Sequence, residues 1–155
     1  MSGLGRVSLH KAVSRKRSGV NRGYVPPPRQ TSARMRSVRQ RDTPAERMLR
    51  RALWSRGVRY RLQRRIAGTR PDIVIGRGRV AVFVDGCFWH GCPRHYTAPR
   101  NNADFWRRKV EGNRARDRRN DETLRLSGWL PIRIWECELR ADLAAVITRI
   151  EAALG

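Results

Sequence analysis

The sequence predicts an α/β fold, a mixed sheet flanked by helices, over residues 34–155. Two observations carry that prediction. Segments with apolar residues at helical spacing interchange with short β-branched runs, in the order α-β-β-β-α-β-α. The 155-residue length permits one domain of ordinary size, and two would be cramped. Residues 1–33 stand apart: they hold Pro26-Pro27-Pro28 and few large apolar side chains. Such a segment cannot bury enough surface to offset its ordering entropy, so it reads as a disordered basic arm.

The first helix starts at Asp42-Thr43-Pro44-Ala45-Glu46, where Thr43 can cap, Pro44 suits the first position and Glu46 completes a capping box. Ala45, Met48, Leu49, Ala52 and Leu53 then recur at helical spacing, and Gly57 ends the run. Val58 to Leu62 alternates as a short strand. Asp72-Ile73-Val74-Ile75 and Val80-Ala81-Val82-Phe83-Val84 read as two strands joined by a Gly76-Arg77-Gly78-Arg79 hairpin turn. Gly86 to Arg100 is a loop. Asn102 to Leu126 has helix-forming composition, with a break predicted near Gly112-Asn113 where the charge density rises. Trp129 to Trp135 is a strand, and Pro131 favours its edge or its start. Leu143, Val146, Ile147, Ile150 and Leu154 form a closing amphipathic helix.

The formal net charge is +22, from 35 Lys+Arg against 13 Asp+Glu. Only Lys11, Lys16 and Lys109 are lysine, so the charge is arginine chemistry. It divides evenly: residues 1–41 carry eleven basic groups and no acidic one, and the remainder carries 24 basic and 13 acidic. A charge of this size calls for a polyanionic partner, nucleic acid first and an anionic membrane surface second. No apolar run reaches the length of a spanning helix, and the first thirty residues lack the apolar core of a secretory signal. A cytoplasmic setting is expected, in which three cysteines serve as thiols or metal ligands rather than disulfides.

Asp72 opens one strand of the hairpin and Asp85 closes the other. A turn centred near Gly78 sets Asp72 opposite Phe83, Val84 or Asp85, and opposite Cβ atoms lie about 4.5–5.5 Å apart. Two carboxylates at one sheet end can approach a single Mg²⁺, which uses few carboxylates plus substrate phosphates. The competing reading makes both aspartates strand-end turn formers. Cys87, Cys92, His95 and Cys137 offer C-x4-C-x2-H and a distant cysteine, a set suited to one structural zinc if the strands before Cys87 and Cys137 are neighbours. His90 competes as fourth ligand, and ordinary thiols are the alternative. Phe88-Trp89 lies inside the loop, and Phe105-Trp106 opens the next helix beside Arg107-Arg108-Lys109. Aromatic wedges beside arginines can unstack a duplex. Phe105, Trp54, Trp129 and Trp135 read as core residues instead.

Arg70-Pro71-Asp72, followed by two strands, a helix and a strand, resembles the PD-(D/E)XK nuclease core of the restriction-endonuclease-like fold. Phe83-Val84-Asp85 stands where that pattern has acidic-x-Lys. With Asp85-Gly86-Cys87-Phe88-Trp89-His90 and Trp135-Glu136-Cys137, residues from about Arg34 onward resemble the very short patch repair (Vsr) DNA mismatch endonucleases. Met35-Arg36, Arg41-Asp42-Thr43, Phe105-Trp106 and Arg116-Asp117-Arg118-Arg119 support the likeness.

The resemblance implies a structural zinc and Mg²⁺-dependent nicking 5′ of the thymine in T:G mismatches, which arise when 5-methylcytosine deaminates. It implies that Asp72 is the principal metal ligand, with the backbone carbonyl of Val84 beside it. Asp85 stands where a well-known member of the family has histidine, which makes it a second catalytic carboxylate and ligand instead. His90 and Glu46 match a pair that prepares the attacking water. Phe88, Trp89 and Trp106 match intercalating residues. Cys87 and Cys137 match zinc ligands directly, while Cys92 and His95 exchange histidine for cysteine and cysteine for histidine. The implied partner is duplex DNA bearing a T:G mismatch, bound by a monomer away from any membrane. A MutL-type repair partner is left open. Two other readings fit the charge: a zinc-stabilised, non-catalytic RNA- or DNA-binding protein, and a related nickase with another target.

Overall fold

A computed structural model describes residues 41–155. The basic arm expected over residues 1–33, and the Met35-Arg36 stretch, lie outside the described residues. The elements are helix α1 (Pro44–Ser55), strands β1 (Arg61–Leu62), β2 (Ile73–Ile75) and β3 (Val80–Asp85), helix α2 (Ala103–Leu126), strand β4 (Leu130–Trp135), and helices α3 (Glu136–Ala141) and α4 (Leu143–Ala152). The four strands lie in the order β1-β2-β3-β4. The first three are antiparallel, and β3 and β4 run parallel. The sheet is mixed, as the sequence predicts.

Period-two alternation sorts the side chains of β3. Val80 and Val82 face a core shared with Leu49 and Leu53 of α1, Leu139 of α3, and Val146, Ile147 and Ile150 of α4. Ala81 and Phe83 face Leu124 of α2, with Ile66 and Trp129 packed against them. Helices therefore cover both faces, which is why β3 reads as an unbroken apolar run. The capping box that starts α1 is present: Thr43 Oγ1 accepts from Glu46 N–H, and Glu46 accepts from Thr43 N–H.

The hairpin turn is a 3-10 turn over Arg77–Arg79, with Gly78 at φ 74°. Any Cβ on Gly78 would meet Leu154 Cα at 3.0 Å and Ala153 O at 3.1 Å, so only glycine lets α4 close over the turn. Its register pairs Ile73 with Val82 and Val74 with Ala81, so continuation of the ladder sets Asp72 opposite Phe83.

Four expectations are corrected. The first strand covers only Arg61–Leu62, because Val58 is held to α1 by its N–H bond to Leu53 O at 3.0 Å. Helix α2 runs unbroken through Gly112. Its buried residues Val110, Asp117 and Leu124 fall seven apart, on one face, and the dense charge lies on the others. Helix α3 follows β4 directly, signalled by Glu138, whose carboxylate accepts from Trp135 N–H at 3.0 Å. Trp54 is not core: it is 56% exposed, with the Arg59 guanidinium 4.0 Å above its ring. Trp129 and Trp135 are half-buried.

A Cβ added at Gly112 would meet nothing within 4 Å. Gly112→Ala should therefore stabilise the protein by about 0.5–1 kcal/mol, read as a raised urea midpoint. A hinge at this position would give no gain or a loss.

Candidate active site

The site forms where β3 runs on to Asp85, past its last ladder pair with the first residue of β2, Ile73 opposite Val82. Asp72 N–H bonds Val82 O at 3.0 Å, and Asp72 Oδ2 accepts from Val84 N–H at 2.8 Å. The carboxylate thus completes the ladder in place of a backbone carbonyl and is pinned at the strand end. Burial pushes its pKa up to about 6; the Val84 hydrogen bond opposes this, the charges of Glu46 and Asp85 add to it, and His90 opposes it. Glu46 is buried at the start of α1, its oxygens accepting from the N–H groups of Asp42 at 3.0 Å and Thr43 at 3.4 Å.

A cleft of about 670 Å³ is lined by Glu46, Asp72, Val84, Phe88, Trp89 and His90, together with Lys109, Asn113, Arg116 and Glu136. Most of the expected catalytic residues therefore share one cavity. The pairing inside it differs from expectation. His90 Nδ1 lies 2.6 Å from Asp117 Oδ2 and 3.6 Å from Asp85 Oδ1. Glu46 is committed to the helix cap, so Asp117 is the carboxylate that orients His90. Burial would raise the Asp117 pKa, but the His90 bond and the charges of Arg133, His90 and Arg116 bring it below the ordinary value. With Nδ1 bound, Nε2 is the imidazole nitrogen left for the cleft.

Asp85 also departs from expectation. It is buried, and both of its oxygens accept from Arg133 Nη1, at 3.0 and 2.9 Å. The potential metal cluster that contains it is Asp85, His90 and Asp117, without Asp72.

Helix α2 holds the loop from behind. Asn113 Nδ2 donates to Trp89 O at 2.7 Å, Arg114 Nε to His90 O at 3.2 Å, and Arg114 Nη2 to Gly91 O. Gly91 has φ +69°, and a Cβ there would meet Val110 Cγ1 at 2.6 Å, so the loop passes hard against the helix. Phe88, Trp89 and Trp106 form one cluster, with ring centroids 5.2 Å apart for Phe88–Trp89 and Phe88–Trp106 and 5.9 Å for Trp89–Trp106. Phe105, half-buried, lies 5.2 Å from Trp106.

The second cluster is the expected one. The ligand atoms of Cys87, Cys92, His95 and Cys137 lie within 4.8 Å of one another, and His90 is not among them. Cys92 Sγ is 3.7 Å from both His95 Nδ1 and Cys137 Sγ. Tetrahedral bonds of about 2.3 Å to sulfur imply a sulfur–sulfur separation near 3.8 Å, so the donors are already spaced for one ion. Burial would raise the Cys92 thiol, but bonds from His95 and the backbone N–H groups of Arg94 and His95 bring it down to about 6. Burial and the neighbouring Cys137 and Cys92 push the Cys87 thiol up instead, to about 11, and the four soft or borderline donors together suit a closed structural metal site.

Sequence reasoning gave no role to Asp117, Arg133, Asn113 or Arg114. Asp117 had a signal, as the one acidic residue in a run of arginines from Arg114 to Arg119. Arg133 had another, as the one charge inside the apolar strand Leu130–Trp135.

Comparison with known proteins gives consistent matches. The family described as "DNA mismatch endonuclease Vsr" matches residues 25–95. The type II nicking enzyme V.XorIIP of Xanthomonas oryzae pv. oryzae is 42% identical over 77% of this chain and 88% of its own length. The type II nicking enzyme V.NaeI of Lentzea aerocolonigenes is 38% identical over 88% of this chain and 86% of its own. The DNA mismatch endonuclease Vsr of Escherichia coli is 36% identical over 70% of each chain. Among solved structures, the homing endonuclease I-Bth0305I catalytic domain aligns with 72% of this chain and 94% of its own, at 19% identity and TM-score 0.49.

The Asp72 environment has a measurable consequence for the metal-free protein. Its pKa is raised from 3.8 to about 6, so between those values the folded protein keeps a proton that the unfolded chain has released. Stability therefore falls as pH rises through that window, by on the order of 3 kcal/mol at neutrality. Asp72→Asn should melt higher than wild type at neutral pH and equally near pH ~4. Equal melting at both would show that the carboxylate is not desolvated.

Proposed function

From the premise that this chain belongs to the Vsr family of DNA mismatch endonucleases, we propose that it nicks duplex DNA 5′ of the thymine in T:G mismatches left by 5-methylcytosine deamination. The observation that carries the reading is the cleft itself, where Asp72 and His90, the latter held by Asp117, open beside Phe88 and Trp89, whose rings cluster with that of Trp106. A base, a cation-seeking carboxylate and a wedge are the three parts that strand scission at a distorted step requires.

Asp72 and the backbone carbonyl of Val84 would hold Mg²⁺. The Val84 carbonyl leaves the strand on the same side as the N–H that Asp72 accepts. When bound, that ion neutralises charge developing on the phosphate oxygens. His90, with Nδ1 held by Asp117, accepts the proton of the attacking water at Nε2. Lys109 and Arg116, on the cleft wall, hold flanking phosphates. Phe88, Trp89 and Trp106 enter the base stack. A mismatched step costs less to open than a paired one, so deformation energy becomes selectivity. Cys87, Cys92, His95 and Cys137 would hold zinc, which would fix the loop that carries Phe88 and Trp89. The setting is a bacterial cytoplasm, and the active species a monomer.

A second reading is favoured by the names of two relatives, which are type II nicking enzymes. In it the same chemistry serves another target. Duplexes end-labelled on each strand and carrying T:G or T:A at a methylation site, incubated with and without Mg²⁺, separate the two. Expected are Mg²⁺-dependent nicks on the T:G duplex alone, loss of nicking in Asp72→Asn, and a fall of about 10²- to 10⁴-fold in His90→Ala. Equal cleavage of both duplexes would favour the second reading. No cleavage at all would favour a non-catalytic binding protein.

The zinc assignment is tested by metal analysis of the purified protein. One equivalent of zinc is expected per chain, lost in Cys137→Ser with a lower melting temperature. A full equivalent retained in that variant would exclude Cys137 as a ligand.

A further inference from the structure

Arg133 points from the middle of β4 into a nest of carboxylates. Nη1 donates to both oxygens of Asp85, at 3.0 and 2.9 Å, and Nε to both oxygens of Asp121, at 3.1 and 3.0 Å. Nη2 donates to the backbone carbonyl of Asp117 at 3.3 Å and lies 3.5 Å from its Oδ1. The guanidinium also lies over the Phe83 ring, 4.5 Å from its centroid. Phe83 and Arg133 are register partners in the parallel pair, so the stacking is built into the sheet.

The side chain of Asp85 is only 6% exposed, and a carboxylate so placed needs a cation. Asp85, His90 and Asp117 alone would offer a divalent ion three ligand atoms within 4.8 Å. A guanidinium occupies that role instead. It is planar, permanently charged and covalently tethered, and its fork serves several carboxylates at fixed angles. We propose that Arg133 is a positioning residue that stands in for a second cation: it withholds Asp85 from metal and fixes Asp117 as the partner of His90. The catalytic consequence rests on the nicking reading; the metal-binding consequence does not.

The test counts Mn²⁺ bound to the zinc-loaded protein by electron paramagnetic resonance. Arg133→Met should bind one more Mn²⁺ than wild type, and Arg133→Met/Asp85→Asn should lose it. Equal stoichiometry in wild type and Arg133→Met overturns the proposal. Should the methionine variant fail to fold, Arg133→Gln carries the same comparison with a polar side chain. Arg133→Lys tests the positioning role, because one ammonium cannot span three carboxylates. Its kcat for nicking should fall at least tenfold, with KM for DNA within twofold and an unchanged melting temperature. A wild-type kcat in that variant would overturn the positioning role. If wild type nicks no duplex, the failure lies with the proposed function, and the Mn²⁺ count still decides whether Arg133 replaces a cation.

Discussion

Parallel pairing of β3 with β4, Asp85 beside Trp135, dictates where the remaining parts go. Two parallel strands cannot be joined by a tight turn, so a long crossover must carry the chain back, and α2 is that crossover. The helix therefore lies across the sheet face onto which Ala81 and Phe83 project. From there Asp117 reaches His90, and Asn113 and Arg114 hold three successive carbonyls of the loop. Parallel strands also end at the same edge, which brings Cys87 after β3 and Cys137 after β4 into one ligand set. The His90–Asp117 contact and the cysteine–histidine cluster are two results of a single topological choice.

Much of this was legible because it depends on local pattern. The capping box of α1, the buried run of β3 and the glycine turn each follow from a few neighbouring residues. The cysteine set was readable because only three cysteines exist and a strand precedes each end of it. The His90 partner was not, because it depends on which face of a 24-residue helix meets a loop 27 positions away in sequence. Glu46 has the right chemistry and lies in the right cleft, yet its oxygens are already taken by the cap. Arg133 was hidden for a similar reason. In a six-residue apolar strand one arginine reads as a solvent-facing position, and only the depth of α2 behind it shows otherwise.

Asp72 and Asp85 show how environment separates two like groups. Both are raised by burial, but Asp72 answers its charge with one backbone N–H, while Asp85 has an arginine of its own. Asp72 is the group left short of positive charge, and this is the electrostatic condition for recruiting a cation from solution. The many arginines of the surface do not answer that need.

Among the described residues the sheet has two edges. One is β1, only two residues long, with Arg59, Arg64 and Arg65 around it. The other is β4, where Pro131 lacks an N–H and Arg149 Nη2 donates to the Arg133 carbonyl at 3.2 Å. Neither offers a second copy the long run of unpaired backbone groups from which strands extend into aggregates. The arginine and proline placement blunts both of these edges against the addition of a further strand.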